Sequence, residues 1–139
     1  MMAMPRLTVW FRTEQGELLR AGEIRVAEPD SRRGGALQGV FRYDPAWLEA
    51  PQALALDPIH LPLQAGVFEA ARPRAGVHGV FEDSLPDAWG RGLLIRHDQL
   101  PRSQRSVPHL LSRLGASGLG ALAYSTDEHP PGEASSMAV

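Results

Sequence analysis

The sequence predicts an α+β domain: a small, mainly antiparallel sheet packed with short helices. Three observations carry that prediction. Compact β-rich runs fill the first third of the chain, amphipathic helical stripes come later, and a buried strand-like run, LGALAY, follows them. With 139 residues, 43% of them hydrophobic and 22% charged, the chain has the size and composition of one globular domain.

LTVWFR (Leu7–Arg12) is the first strand and TEQG (Thr13–Gly16) the turn after it. Apolar residues resume at Leu18, Ile24 and Val26, so the two runs read as a hairpin with Gly22 marking a bulge. Asp30–Gly35 reads as a loop, and Val40, Phe41 and Tyr43 form a third strand. Asp44-Pro45 opens a helix, with a carboxylate at the N-cap and proline in the first helical position; Pro51 ends it soon after. Pro58 and Pro62 keep 57–63 irregular or extended, and Phe68–Ala75, which alternates poorly, reads as loop.

Two further helices are expected. Ser84 and Asp87 have capping-box spacing with Pro86 in the first turn; Leu85, Trp89, Leu93 and Leu94 share a face, and Arg91 and Arg96 turn outward. Gly90 and Gly92 each cost such a helix about 1 kcal/mol against alanine, which implies close packing beside it. In the second helix Ser106 caps, Pro108 occupies the first turn, and Val107, Leu110, Leu111 and Leu114 form the apolar stripe; Gly115 supplies the left-handed stop. Residues 5–125 form the expected domain, and 126–139, acidic and rich in proline and small residues, the expected linker or frayed tail.

Missing residue types exclude whole classes of chemistry. Without cysteine there is no disulfide, thiolate nucleophile or Cys-based zinc site. All fourteen basic residues are arginine, and asparagine is absent too. A Walker loop, Schiff-base chemistry and a complete protein-kinase site are therefore excluded. No HExxH or helical histidine pair occurs, so no metal is expected, and the five histidines read as scattered and solvent-exposed. No GxSxG surrounds a serine, and GASGLG (Gly115–Gly120) has helix before it and strand after, the reverse of a phosphate loop. No catalytic residue and no cofactor is assigned.

The net charge of −2 argues against global attraction to nucleic acid or anionic lipid. Seven arginines against four acids between Arg72 and Arg113 give a local surplus of three, read as a solvated surface. No apolar run reaches the ~18–20 residues of a membrane span and no targeting segment is evident, so the expected address is the cytoplasm. Trp89, between Asp87 and Arg91, is either a core plug or a protein-contact anchor, and composition favours the core.

VFEDSLPDAWGRGLLIR (Val80–Arg96) resembles the F-x-x-x-LPD-x-x-x-R block in the N-terminal part (N-subdomain 1) of HipA-family serine/threonine kinase toxins of type II toxin–antitoxin systems. FRYDPAWL (Phe41–Leu48) is similar to the family's F-x-Y-x-x-x-W/Y-L block, HLPL (His60–Leu63) to its S-LP-L stretch, and VPHLLSRLGASGLGALAY (Val107–Tyr124) to its helix ending in IG-x-D-x-x-GAL. Ser117 stands where the family usually has an acidic residue. The resemblance spans about residues 7–124.

The resemblance implies a non-catalytic domain that caps a kinase core and contacts the antitoxin. The core phosphorylates an aminoacyl-tRNA synthetase, producing dormancy, and its ATP-binding lysine and catalytic aspartate lie outside this region. Implied partners are a HipA- or HipT-type kinase core, in cis or in trans, and a HipB-like helix-turn-helix antitoxin. Two family readings follow: a truncated toxin or isolated domain, or a separate HipS-like subunit that restrains a kinase. Under the second, the candidate contact residues are Leu85, Pro86, Asp87, Trp89 and Arg91, with Trp89 entering an apolar pocket of the partner. A sequence-nonspecific nucleic-acid accessory role is the reading from another class.

Overall fold

The computed structural model describes residues 6–27, 37–70, 75–85, 91–92, 95–96, 98–101, 105–116 and 120–131. Strands β1 (Arg6–Arg12), β2 (Leu18–Ala27), β3 (Gln38–Tyr43), β4 (Phe68–Ala70) and β5 (Leu122–Ser125) form one sheet, in the order β4-β3-β2-β1-β5. Every neighbouring pair is antiparallel. Helix α1 spans Pro45–Glu49, α2 Gly79–Glu82 and α3 Val107–Leu114, with helical backbone also at 91–92 and 95–96. This is the α+β architecture expected from the sequence.

The hairpin closes as expected: the amide of Glu17 donates to Thr13 Oγ1 at 3.1 Å, and Gly16 takes φ +86°, open to glycine at little cost. Its bulge falls at Ala21, since Val9 pairs with Gly22 but Trp10 with Arg20. Gly22 is needed beside it for packing. A Cβ there would stand 2.4 Å from the Arg42 carbonyl oxygen and 2.5 Å from the Phe41 ring. Gly39 is tighter still, because a Cβ would meet the Gly76 carbonyl oxygen at 1.7 Å where the loop after β4 crosses β3.

Period-two alternation puts Leu7, Val9, Ile24, Phe41, Tyr43 and Tyr124 on one sheet face, all buried. Trp47 of α1, Phe81 of α2, Leu85, Leu100 and the α3 stripe Leu110, Leu111 and Leu114 cover that face. A run of ring contacts binds sheet to helices: Phe68–Tyr43 at 6.2 Å, Tyr43–Phe41 at 4.9 Å, Phe41–Phe81 at 5.1 Å and Phe81–Tyr124 at 6.4 Å between centroids. Each large side chain so buried contributes about 1.5–3 kcal/mol before entropy is counted.

On the opposite face the β1–β5 seam is locked by polar groups. Trp10 Nε1 donates to Ser125 Oγ at 2.9 Å, and the hydroxyls of Thr8 and Ser125 both donate to the Asp127 carbonyl, at 2.8 and 2.9 Å. Residues just past β5 are thereby fastened to the first strand.

Several expectations need correction. Phe68–Ala70 is an edge strand, because Phe41 and Val40 of β3 offer it a pairing partner that local alternation cannot reveal. Neither Asp44 nor Ser106 caps its helix with a side chain. Asp44 lies 3.9 Å from the Arg20 guanidinium, and Ser106 Oγ pairs with His109 Nδ1 at 2.6 Å, so both side chains have other partners. The histidines are not uniformly exposed: His78 is buried against the Phe81 ring and His109 is half-buried, while His60 and His129 are exposed. Gly115 ends α3 at φ +57°, as expected, and its carbonyl then accepts the Tyr124 amide.

Candidate partner-contact site

The predicted contact residues lie where α2 runs out. The backbone keeps winding beyond the helix: the amide of Asp83 donates to Gly79, Ser84 to Phe81 and Leu85 to Glu82. Ser84 therefore sits in a continuing turn, and the first turn of the helix it was expected to cap, at 86–87, lies outside the described residues. Its hydroxyl meets that of Tyr124 at 2.8 Å inside the core, a pairing across forty residues. Burial pushes the Tyr124 phenol well above its ordinary value, and the Ser84 hydrogen bond opposes that shift. The phenol thus stays neutral and its proton remains available for the pairing.

Leu85 follows at 4% exposure, part of the main core. Its side chain fixes the entry of the LPDAW segment and is too buried to serve as a contact surface in this domain. Pro86, Asp87 and Trp89 lie outside the described residues. Arg91 is half-buried, not turned outward as expected, and its Nη1 lies 3.7 Å from Glu82 Oε2. That ion pair brings the far end of the segment back to α2. The described residues on either side of 86–90 are thus tied down, Ser84 and Leu85 in the core and Arg91 by its ion pair with Glu82.

Tyr124 is the residue that sequence reasoning did not single out. Tyr124 was legible only as part of a buried strand, and no local pattern pairs its hydroxyl with Ser84. Glu82, which the sequence groups with Asp83 and Asp87 as carboxylates at a helix start, is within 3.7 Å of Arg91, a pairing the local pattern does not indicate. Among the described residues no group of three or more histidine or carboxylate side chains has a metal-holding arrangement.

The family model of the HipA N-terminal domain matches residues 19–125, from β2 through the end of β5. The chain belongs to the HipA N-terminal domain family. The match includes α2, the stretch from Leu85 to Arg91 and α3. This HipA N-terminal domain is a part of its toxin–antitoxin family distinct from the kinase. No curated protein and no solved structure gives a significant match to the chain. No helix among the described residues is long and apolar enough to cross a membrane.

Proposed function

We propose that this HipA N-terminal domain serves as the non-catalytic module of a HipA-type toxin–antitoxin serine/threonine kinase, packing on the kinase core and contributing contacts to a HipB-like antitoxin. The family match over 19–125 carries the reading. The stretch from Leu85 to Arg91 is its contact element, flanked by the Glu82–Arg91 ion pair and including Pro86, Asp87 and Trp89. Leu85 acts from within the core as a positioning residue. Trp89 supplies the apolar anchor, and Asp87 with Arg91 sets orientation through charge.

The same element serves whether the kinase core is joined to the domain or supplied by another chain. The second arrangement is the alternative, in which the domain restrains a HipT-like kinase as HipS-type subunits do. Titrating the full chain against a HipA-type kinase core that lacks its own N-terminal region separates the outcomes. Sub-micromolar binding with loss of kinase activity supports the restraining subunit, and binding with activity retained supports the packing module. Absence of binding contradicts both. A nucleic-acid role would instead give binding that weakens steeply with salt.

A further inference from the structure

Two cavities outside the Leu85–Arg91 segment join into one groove. The larger, about 640 Å³, and the smaller, about 260 Å³, share Leu56, Val80 and Asp83 in their walls. Their ends differ in chemistry. At one end Phe11, Leu54 and Leu122 present apolar surface, and Leu54 is 41% exposed. At the other end lie Asp57 and Glu69, with Asp83 in the shared wall between the two ends. Among the described residues that line the groove there is no arginine, and the only basic groups are the imidazoles of His60 and His78.

The wall carrying Leu54 and Leu56 is fixed without a ligand. Trp47 Nε1 donates to the Leu54 carbonyl at 3.3 Å, and the Leu56 amide donates to Tyr43 Oη at 2.9 Å. Tyr43 Oη in turn donates to the Leu61 carbonyl. The Asp57 carboxylate accepts the amides of Ile59 at 3.0 Å and His60 at 3.3 Å, with the His60 ring 3.0 Å away. A groove whose walls are already ordered loses little entropy on binding.

We infer that this groove docks a short segment of a partner polypeptide carrying one large apolar side chain and, beside it, arginine or lysine. The apolar residue fills the Phe11–Leu54–Leu122 end, and the cation faces Asp57, Glu69 and Asp83. Acidic peptides and nucleic-acid phosphates are repelled by the same carboxylates. The assignment makes no use of the kinase-core contact, so either stands if the other fails.

The test is a random-peptide phage library panned against the full chain, followed by affinity and amide-shift measurements on the most enriched peptide. Leu54→Asp and Asp83→Arg are the informative variants, because both side chains are exposed and the fold does not depend on them. Enriched sequences combine an apolar residue with arginine or lysine, each substitution weakens binding by about tenfold or more, and amide shifts cluster at Leu54, Val80 and Ala121. No enrichment, enrichment of acidic sequences, affinity indifferent to both substitutions, or shifts confined elsewhere would overturn the proposal.

Discussion

At the residue scale, Ser84 and Tyr124 do the work that a capping serine was expected to do elsewhere. Their hydroxyls lie 2.8 Å apart in the core, and the Phe81 carbonyl at 3.5 Å is the only other partner of the Tyr124 hydroxyl among the described residues, so removing either hydroxyl leaves a buried polar atom poorly satisfied. Ser84→Ala and Tyr124→Phe should each lower stability by about 1–3 kcal/mol. The double variant should cost clearly less than the sum, as chemical denaturation of the three proteins will show. The glycines give a sharper contrast. Gly39→Ala must displace the Gly76 carbonyl and should cost at least ~1–3 kcal/mol by overpacking, whereas Gly92→Ala meets no neighbouring atom and should be neutral or stabilising. Neither hydroxyl pairing nor backbone approach has a local signature, which is why the sequence marks Gly22 as a special position but is silent on Gly39.

At the element scale, legibility followed how local the cause was. The hairpin, β3, α1 and α3 are dictated by their own residues: alternation, a proline at the helix start, an apolar stripe, and a glycine stop. β4 and α2 are not. Phe68–Ala70 becomes a strand because β3 is there to pair with it, and Gly79–Glu82 is a single turn held by Phe81 in the core. Within α3, His109 makes a testable pH sensor. Burial first, and Arg113 second, lower its pKa from the ordinary 6.5, so the folded state favours the neutral ring. Below that ordinary value the unfolded chain binds the extra proton more readily than the folded one, so this residue's contribution to stability declines as pH falls through 6.5 toward the lowered folded value. Denaturation midpoints measured from pH 7.5 downward should show that decline, and His109→Gln should flatten it.

At the scale of the whole molecule, the sheet order β4-β3-β2-β1-β5 joins the two ends of the described fold. The last strand returns to pair with the first, bringing Tyr124 to Ser84, while α2 and Arg91 close the other side. Co-linear sequence blocks were enough to expect the family, because they record spacing along the chain. The roles of Leu85 and Arg91 were not readable that way. Helical periodicity places both on a helix face but cannot tell that the leucine enters the sheet's core or that the arginine folds back on Glu82. Leu85→Ala should therefore cost roughly 2–5 kcal/mol of stability, a loss visible in thermal unfolding of the isolated domain without any partner.

The central claim is that the domain meets a kinase core through the segment between Leu85 and Arg91. Hydrogen–deuterium exchange of the full chain, alone and with a HipA-type kinase core lacking its own N-terminal region, tests it most directly. The account predicts new protection across residues 85–92 while β2 and β3 exchange as before, and loss of that protection with Trp89→Ala in a domain that still unfolds cooperatively. A complex that forms with no added protection there, or no complex at all, contradicts it.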